Sequence, residues 1–129
     1  MNQQEMNEWY YQVNEDCVWY IQSFQVKEWR VADQLALLPP ECDNSVLLVE
    51  QNKLQEETRA YATLLEMATT ECDAMNLVLN RHQEACRLER PGDISFAHER
   101  SVERKEAWTK FMVVRNGVSH TMGYTSGPV

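Results

Sequence analysis

KLQEETRAYATLLEMATTECD, residues 53–73, decides the fold because it forms either one continuous helix or a fold-back at Thr69-Thr70. It contains no Gly or Pro, and its apolar side chains recur every three or four residues, as the buried stripe of a helix requires. This stripe consists of Leu54, Tyr61, Leu65, Ala68 and Cys72. The one candidate break is the capping-box-like pair of Thr70 and Asp73. We predict that the chain does not turn there.

The same stripe extends in both directions beyond this stretch, from Leu47 to Cys86. Its three- and four-residue spacing persists for about six heptads and drifts as a left-handed supercoil requires. The Asp43-Asn44-Ser45 cluster can cap this helix at its start, and Pro91-Gly92-Asp93 must end it. A helix over about 44–90 would span on the order of 65–70 Å at 1.5 Å per residue.

Other breakers set the limits of the remaining helices. Asn2 is a plausible N-cap for a helix over about 3–38, which Pro39-Pro40 must stop. A third helix is predicted over about 95–115, where Asn116-Gly117 ends it.

We therefore expect an all-α fold, a three-helix antiparallel bundle or coiled coil with one very long central helix. Residues 1–116 are predicted to form a single helical domain. Residues 117–129 are small, polar and turn-rich, and we expect them to form a flexible, mobile C-terminal tail.

The first predicted helix is apolar on two faces. A core-facing stripe has close to heptad spacing: Met6, Tyr10, Val13, Cys17, Tyr20, Phe24, Val31 and Leu35. At 100° per residue, five more apolar residues lie on the opposite side: Tyr11, Val18, Trp19, Val26 and Trp29. Either this second face meets another protein chain, or helix 1 is the central element of its own bundle. The residues alone leave both interpretations open.

Charge is distributed unevenly along the 129 residues, whose formal net charge is −8. Residues 1–80 carry 14 acidic and 4 basic side chains, a net charge of −10. Residues 81–129 carry 6 acidic and 8 basic side chains, a net charge of +2, and are expected to lie against the acidic surface, within the chain or in a neighbouring copy. The acidic field repels nucleic acid and anionic membranes, and no basic patch is large enough to indicate direct nucleic-acid binding.

Several features indicate a cytoplasmic protein. No apolar run exceeds five residues, which excludes a membrane span, and the polar N-terminus has no signal-peptide pattern. Four cysteines, at positions 17, 42, 72 and 86, form no CxxC pair. Reduced thiols in a cytoplasm are therefore favoured over a disulfide framework.

Oxygen-bearing side chains of helix 2 have the spacing of a possible magnesium clamp. Glu56-Glu57 is followed, most of a helix later, by Asp73 and Asn76. The pattern resembles the EExxE and ExxD halves of the motif in the all-α NTP pyrophosphohydrolases, the MazG-like family, over about 25 residues. Ala60 stands where the family has its third glutamate, and DxxN replaces ExxD.

This resemblance implies a nucleotide pyrophosphohydrolase with Mg²⁺ held between antiparallel helices. It depends on a fold-back at Thr69-Thr70, because sixteen residues of one straight helix would separate Glu57 from Asp73 by about 24 Å. In a continuous helix the same carboxylates form a solvated flank.

A second possible cluster combines His82, Cys86 and His98. His82 and Cys86 have the i,i+4 spacing that places two ligands on one metal, and His98 would come level with Cys86 if helices 2 and 3 fold back. Continuation of the apolar stripe explains His82 and Cys86 without further assumptions. There is no GxSxG motif and no glycine-rich phosphate loop. We assign no catalytic residue, no metal and no cofactor.

These observations predict a small acidic helical protein that acts by protein–protein binding, as an adaptor, inhibitor or assembly factor, and that self-associates. The expected interface is the second face of helix 1. Two alternatives are the pyrophosphohydrolase, active or degenerate, and an acidic mimic of nucleic acid that inhibits a basic target. An enzyme is the less favoured class, and the residues assign the chain to no family.

Overall fold

The computed structural model describes residues 2–88 and 94–124, with the side chains of residues 85, 86, 88, 94–98 and 100 left outside the description. All regular structure in these ranges is α-helical, which confirms the all-α prediction. The helices are α1 (Gln3–Leu37), α2 (Ser45–Leu88) and α3 (Ile94–Met122). The predicted breaker Pro91-Gly92-Asp93 lies outside the described residues.

The ends of α1 follow from local chemistry. Asn2 Oδ1 accepts a hydrogen bond from the backbone N–H of Glu5 at 2.8 Å, so the predicted N-cap is confirmed. The helix ends at Leu37. Pro39 explains this end, because it has no N–H to donate and its ring disfavours helical geometry at the residue before it.

Helix α2 begins at the predicted capping cluster and is continuous through Thr69-Thr70. At its start, Asp43 Oδ1 accepts a hydrogen bond from the Ser45 N–H at 2.9 Å, and this bond lowers the pKa of the Asp43 carboxyl. The helix then runs for 44 residues, so the chain does not fold back at the candidate break. Ala68 and Cys72 are buried on either side of the two threonines, and their packing outweighs the small helix penalty of a β-branched residue.

The described chain divides into two compact units, each with its own internal packing, and the single helical domain expected over 1–116 stays a prediction. One unit comprises Tyr11–Glu66, and we call it the two-helix unit. The other comprises the described parts of Met1–Tyr10 and Met67–Val129, and we call it the three-helix unit.

Aromatic stacking joins the helices of the two-helix unit. The rings of Tyr20 on α1 and Tyr61 on α2 stack with centroids 4.7 Å apart. The centroid of the Phe24 ring lies 5.7 Å from that of Tyr61. Further along, Gln55 Nε2 donates a hydrogen bond to Glu28 Oε1 at 2.8 Å. The buried side chains of this unit are few: Val13, Cys17, Val31 and Leu54.

Phe111 of α3 lies at the centre of the three-helix unit. It forms a buried cluster with Met6, Cys72 and Met75, one or two from each of the other helices. Trp9 and Trp108 both contact the Phe111 ring edge-on, with centroids 5.6 Å and 5.5 Å away. Such edge-to-face pairs add about 0.5–1.5 kcal/mol beyond the area that they bury.

The end of α3 corrects the predicted tail. We expected the helix to stop at Asn116-Gly117, but it continues to Met122. Val118 is fully buried, and Ser119 is buried with its hydroxyl oxygen accepting a hydrogen bond from Trp9 Nε1 at 2.9 Å. This packing outweighs the roughly 1 kcal/mol that a glycine costs inside a helix. Residues 117–122 therefore belong to the folded unit, not to a tail.

Gly123 is the glycine that ends α3. Its φ of +78° is the left-handed conformation that only glycine adopts without strain. Its N–H donates to the His120 carbonyl at 3.1 Å, and the Tyr124 N–H donates to the Ser119 carbonyl at 2.8 Å. These two bonds are the Schellman motif that satisfies the last carbonyls of a helix.

Two glycine substitutions test this helix end. Gly117→Ala should raise the free energy of unfolding by about 0.5–1 kcal/mol, because an added Cβ meets open space and alanine favours the helix. Gly123→Ala should lower it by about 1–2 kcal/mol, because alanine is strained at positive φ. Both are measured by chemical denaturation followed by circular dichroism. If Gly117→Ala were the destabilising substitution, α3 would end at Gly117 as the sequence indicated.

Candidate functional site

The second apolar face of α1, which we call the outer face, is exposed along its length. Tyr11, Trp19 and Trp29 are 62%, 63% and 66% exposed, and Val18 and Val26 are 37% and 40% exposed. All five belong to the two-helix unit. The sequence prediction that these residues share one side of the helix, away from the core stripe, agrees with their exposure.

The inner stripe sets the rotation of α1 within its unit. Val13, Cys17 and Val31 are buried on the side that faces α2, and Tyr20 stacks on Tyr61 from the same side. Because the helix is rigid over these turns, residues displaced by about 180° must point away from α2. The exposure of the outer face is therefore a consequence of the packing of the inner stripe.

Local contacts order two of the exposed rings. Trp19 meets the ring of Tyr20 edge-on, with centroids 5.1 Å apart. The Tyr11 hydroxyl donates a hydrogen bond to Glu15 Oε1, one turn later, at 3.3 Å. A ring already held in place loses less conformational entropy when a partner covers it.

The outer face is longer than the sequence prediction. Leu37, at the last residue of α1, is 83% exposed and was not among the predicted interface residues. It follows Trp19 by 18 residues, which is five full helical turns, and so lies on the same line of the helix. Trp29 follows Tyr11 by the same interval. This repeat of 18 is the signal that could have identified Leu37.

Charged residues flank the outer face on one side. At 100° per residue, Asp16, Lys27 and Arg30 project from the same flank, and Glu15 lies within the face. The acidic pair therefore lies in the first half of the face, and the basic pair lies in the second half together with Asp33, which is on the same line of the helix as Glu15. Lys27 Nζ lies 5.8 Å from the centroid of the Phe24 ring, a cation–π distance.

The structure does not bring the predicted magnesium ligands together. Helix α2 is continuous between Glu57 and Asp73, without the fold-back that the site requires. Asn76 Oδ1 instead accepts a hydrogen bond from Gln3 Nε2 at 3.2 Å, and Glu56 is exposed. Among the side chains that the structure describes, no group of three or more His, Cys, Asp and Glu is placed to hold a metal ion.

The possible His82, Cys86 and His98 cluster falls largely outside the description. His82 is half-buried on α2, but the side chains of Cys86 and His98 are not described. The structure therefore does not test this arrangement.

Two of the described thiols are buried, and one is exposed. Cys17 and Cys72 are buried free thiols, and Cys42 is exposed between α1 and α2. Burial, reinforced by Asp73 and Glu71, raises the pKa of the Cys72 thiol to about 11. Burial, reinforced by Asp16, also raises the pKa of Cys17. Since the thiolate is the nucleophile, these two thiols act as small core side chains.

Comparison with known proteins gives no assignment. No protein-family model matches the chain, and neither the curated proteins nor the solved structures contain a significant match. Over the described residues, no helix has both the length and the apolar character needed to cross a membrane. The functional argument therefore depends on the geometry of the chain itself.

The raised pKa of Cys72 predicts a pH dependence of stability. An unfolded thiol ionises near its ordinary pKa of 9.0, whereas the folded thiol stays neutral until about 11. This contribution is fully present below pH 9 and is lost as the pH rises through about 11. Denaturation midpoints measured from pH 8 to 11 should fall less steeply in Cys72→Ala than in the wild type. An identical slope in both proteins would contradict the assignment.

Proposed function

We propose that the protein acts by binding another protein chain through the outer face of α1, as an adaptor, inhibitor or assembly factor that also self-associates. The observation that carries this proposal is the exposure of Tyr11, Trp19 and Trp29, each about two-thirds accessible, on one face of a helix buried on its other face. Tryptophan and tyrosine are the residues most enriched among interface hot spots.

The size of the face supports the proposal. Aromatic side chains bury 150–250 Å² each, so three rings and two valines expose on the order of 500–600 Å². Apolar patches of this size are at the upper end of what monomeric proteins expose, and they are often functional. At about 25 cal/mol per Å², covering the patch would contribute a gross free energy on the order of 12–15 kcal/mol before the costs of association.

The proposal includes a helix arrangement and a compartment. We place α1 and α2 antiparallel, as supported by two pairs in the two-helix unit: Tyr20 with Tyr61, and Glu28 with Gln55. Between these two pairs the residue number rises along α1 and falls along α2, as it does in an antiparallel pair of helices. We place the protein in a reducing compartment such as the cytoplasm, because Cys17 and Cys72 are buried free thiols.

Removing a tryptophan from the outer face tests the proposed function. Trp19→Ala or Trp29→Ala should weaken self-association by roughly 30-fold or more, the effect of losing a hot-spot residue of about 2 kcal/mol. Helix content should be unchanged, because neither side chain contributes to the buried core. The measurements are molar mass by light scattering as a function of concentration, and circular dichroism.

Val113→Ala is the matched control, because Val113 is an exposed apolar residue of α3 in the other unit. Its association should equal that of the wild type. Association that is unchanged in both tryptophan variants would refute the outer face as the interface.

The nucleotide pyrophosphohydrolase predicts a different result. Incubation with a panel of nucleoside triphosphates and Mg²⁺ would release pyrophosphate, and Glu56→Gln would abolish the release. That pair of results would replace the proposed function. An acidic mimic of nucleic acid would instead compete with DNA or RNA for a basic protein, and the competition would weaken steeply with salt.

A further inference from the structure

We infer that the outer face is covered by a second copy of this chain, whose α1 packs antiparallel to the first about a two-fold axis close to Gln22. This inference rests on the proposed function and specifies its partner and its geometry. It follows from the order of charges beside the face, from the symmetry of a pair of identical helices, and from the area that the face exposes.

The charges beside the face are ordered along the helix. Glu15 and Asp16 lie in its first half; Lys27 and Arg30 lie in its second half, together with Asp33, which follows Glu15 by five full turns. Lys27 follows Asp16 by eleven positions, or about 16 Å of helix. Glu15, Lys27 and Arg30 are exposed, and Asp16 is half-buried.

Two-fold symmetry decides which of these charges meet. When two identical helices pack antiparallel about a perpendicular two-fold axis, each flank meets the same flank of the other helix in reverse order. Lys27 and Arg30 then lie beside Asp16 and Glu15 of the second copy, and the same contacts repeat on the other side of the axis. Opposite charges flanking a helical interface set the orientation of the helices.

The same register also pairs the apolar residues. The two-fold axis passes near Gln22. Val26 of each copy therefore lies beside Val18 and Trp19 of the other copy. Trp19 therefore meets an aliphatic side chain, whereas Trp29 lies beside Glu15 of the second copy.

A parallel pair does not give this match. In that arrangement each flank meets the opposite flank, and the opposite flank of α1 carries Asn14, Gln25 and Ala32. The charged flank would then face neutral side chains. Only the antiparallel arrangement satisfies the acidic and the basic half together.

The area is sufficient for a specific dimer. Two copies of a face that exposes on the order of 500–600 Å² bury about 1,000–1,200 Å² in total, which reaches the lower limit of specific interfaces. Leu37, which is also exposed, extends the same face toward the end of α1.

Charge reversal tests the orientation. One variant, Lys27→Glu with Arg30→Glu, makes both halves acidic; a second, Glu15→Lys with Asp16→Lys, makes both halves basic. Each alone should dimerise at least about tenfold more weakly than the wild type, because like charges then face each other twice. An equimolar mixture of the two, and a single chain carrying all four substitutions, should regain the dimer. Lys53→Glu with Arg59→Glu is the control, since it makes the same charge change on α2 of the same unit.

Sedimentation equilibrium gives the mass, at a protein concentration on the order of 100 µM, where a dimer with a Kd of about 1 µM is mostly assembled. If the wild type has the mass of a single chain at this concentration, both the inference and the proposed self-association are overturned. Binding to a different protein would then need its own test. If Trp19→Ala weakens the dimer and charge reversal leaves it unchanged, the antiparallel arrangement alone is overturned. A dimer that neither change weakens overturns both the inference and the outer face as an interface.

Discussion

A helix that packs on one other helix can bury only one of its faces, and this constraint governs the two-helix unit. There α1 has two apolar faces, and α2 is its one neighbour within the unit. The face carrying Val13, Cys17 and Val31 packs on α2, in line with the stacked rings of Tyr20 and Tyr61. The opposite face has no neighbour in the described unit, so its tryptophans remain accessible.

The three-helix unit shows what a third helix changes. Trp9, also on α1, contacts Phe111 and donates its indole N–H to Ser119, both on α3. Its apolar ring and its polar tip are therefore both satisfied within the chain. Trp19 contacts only its sequence neighbour Tyr20 among the ring contacts in the two-helix unit. The same residue type is thus part of a core in one unit and part of an accessible surface in the other, which is why the outer face supports a binding role.

Much of the local structure could be predicted from particular residues. The Asn2 cap and the stop before Pro39-Pro40 depend on contacts within a few residues. The end of α3 could not be predicted in this way, because Gly117 and Gly123 are equivalent as local signals. The burial of Val118 and the Trp9–Ser119 hydrogen bond, across 110 positions of sequence, carry the helix past Gly117. Leu37 was missed because it lies beside the strong break at Pro39, although its spacing from Trp19 placed it on the outer face.

The sequence by itself determined that the chain is helical, where α1 begins and ends, and that α1 has two apolar faces, because these depend on periodicity, capping and proline. Two interpretations of the second face remained: contact with another protein chain, or burial with α1 as the central element of its own bundle. Only the tertiary structure shows that this face is exposed in the two-helix unit, since burial depends on how many helices pack around α1, and periodicity contains no such count. It likewise confirmed that the carboxylates of α2 stay along one helix: a magnesium clamp requires a change of chain direction, whereas α2 is continuous where Ala68 and Cys72 are buried.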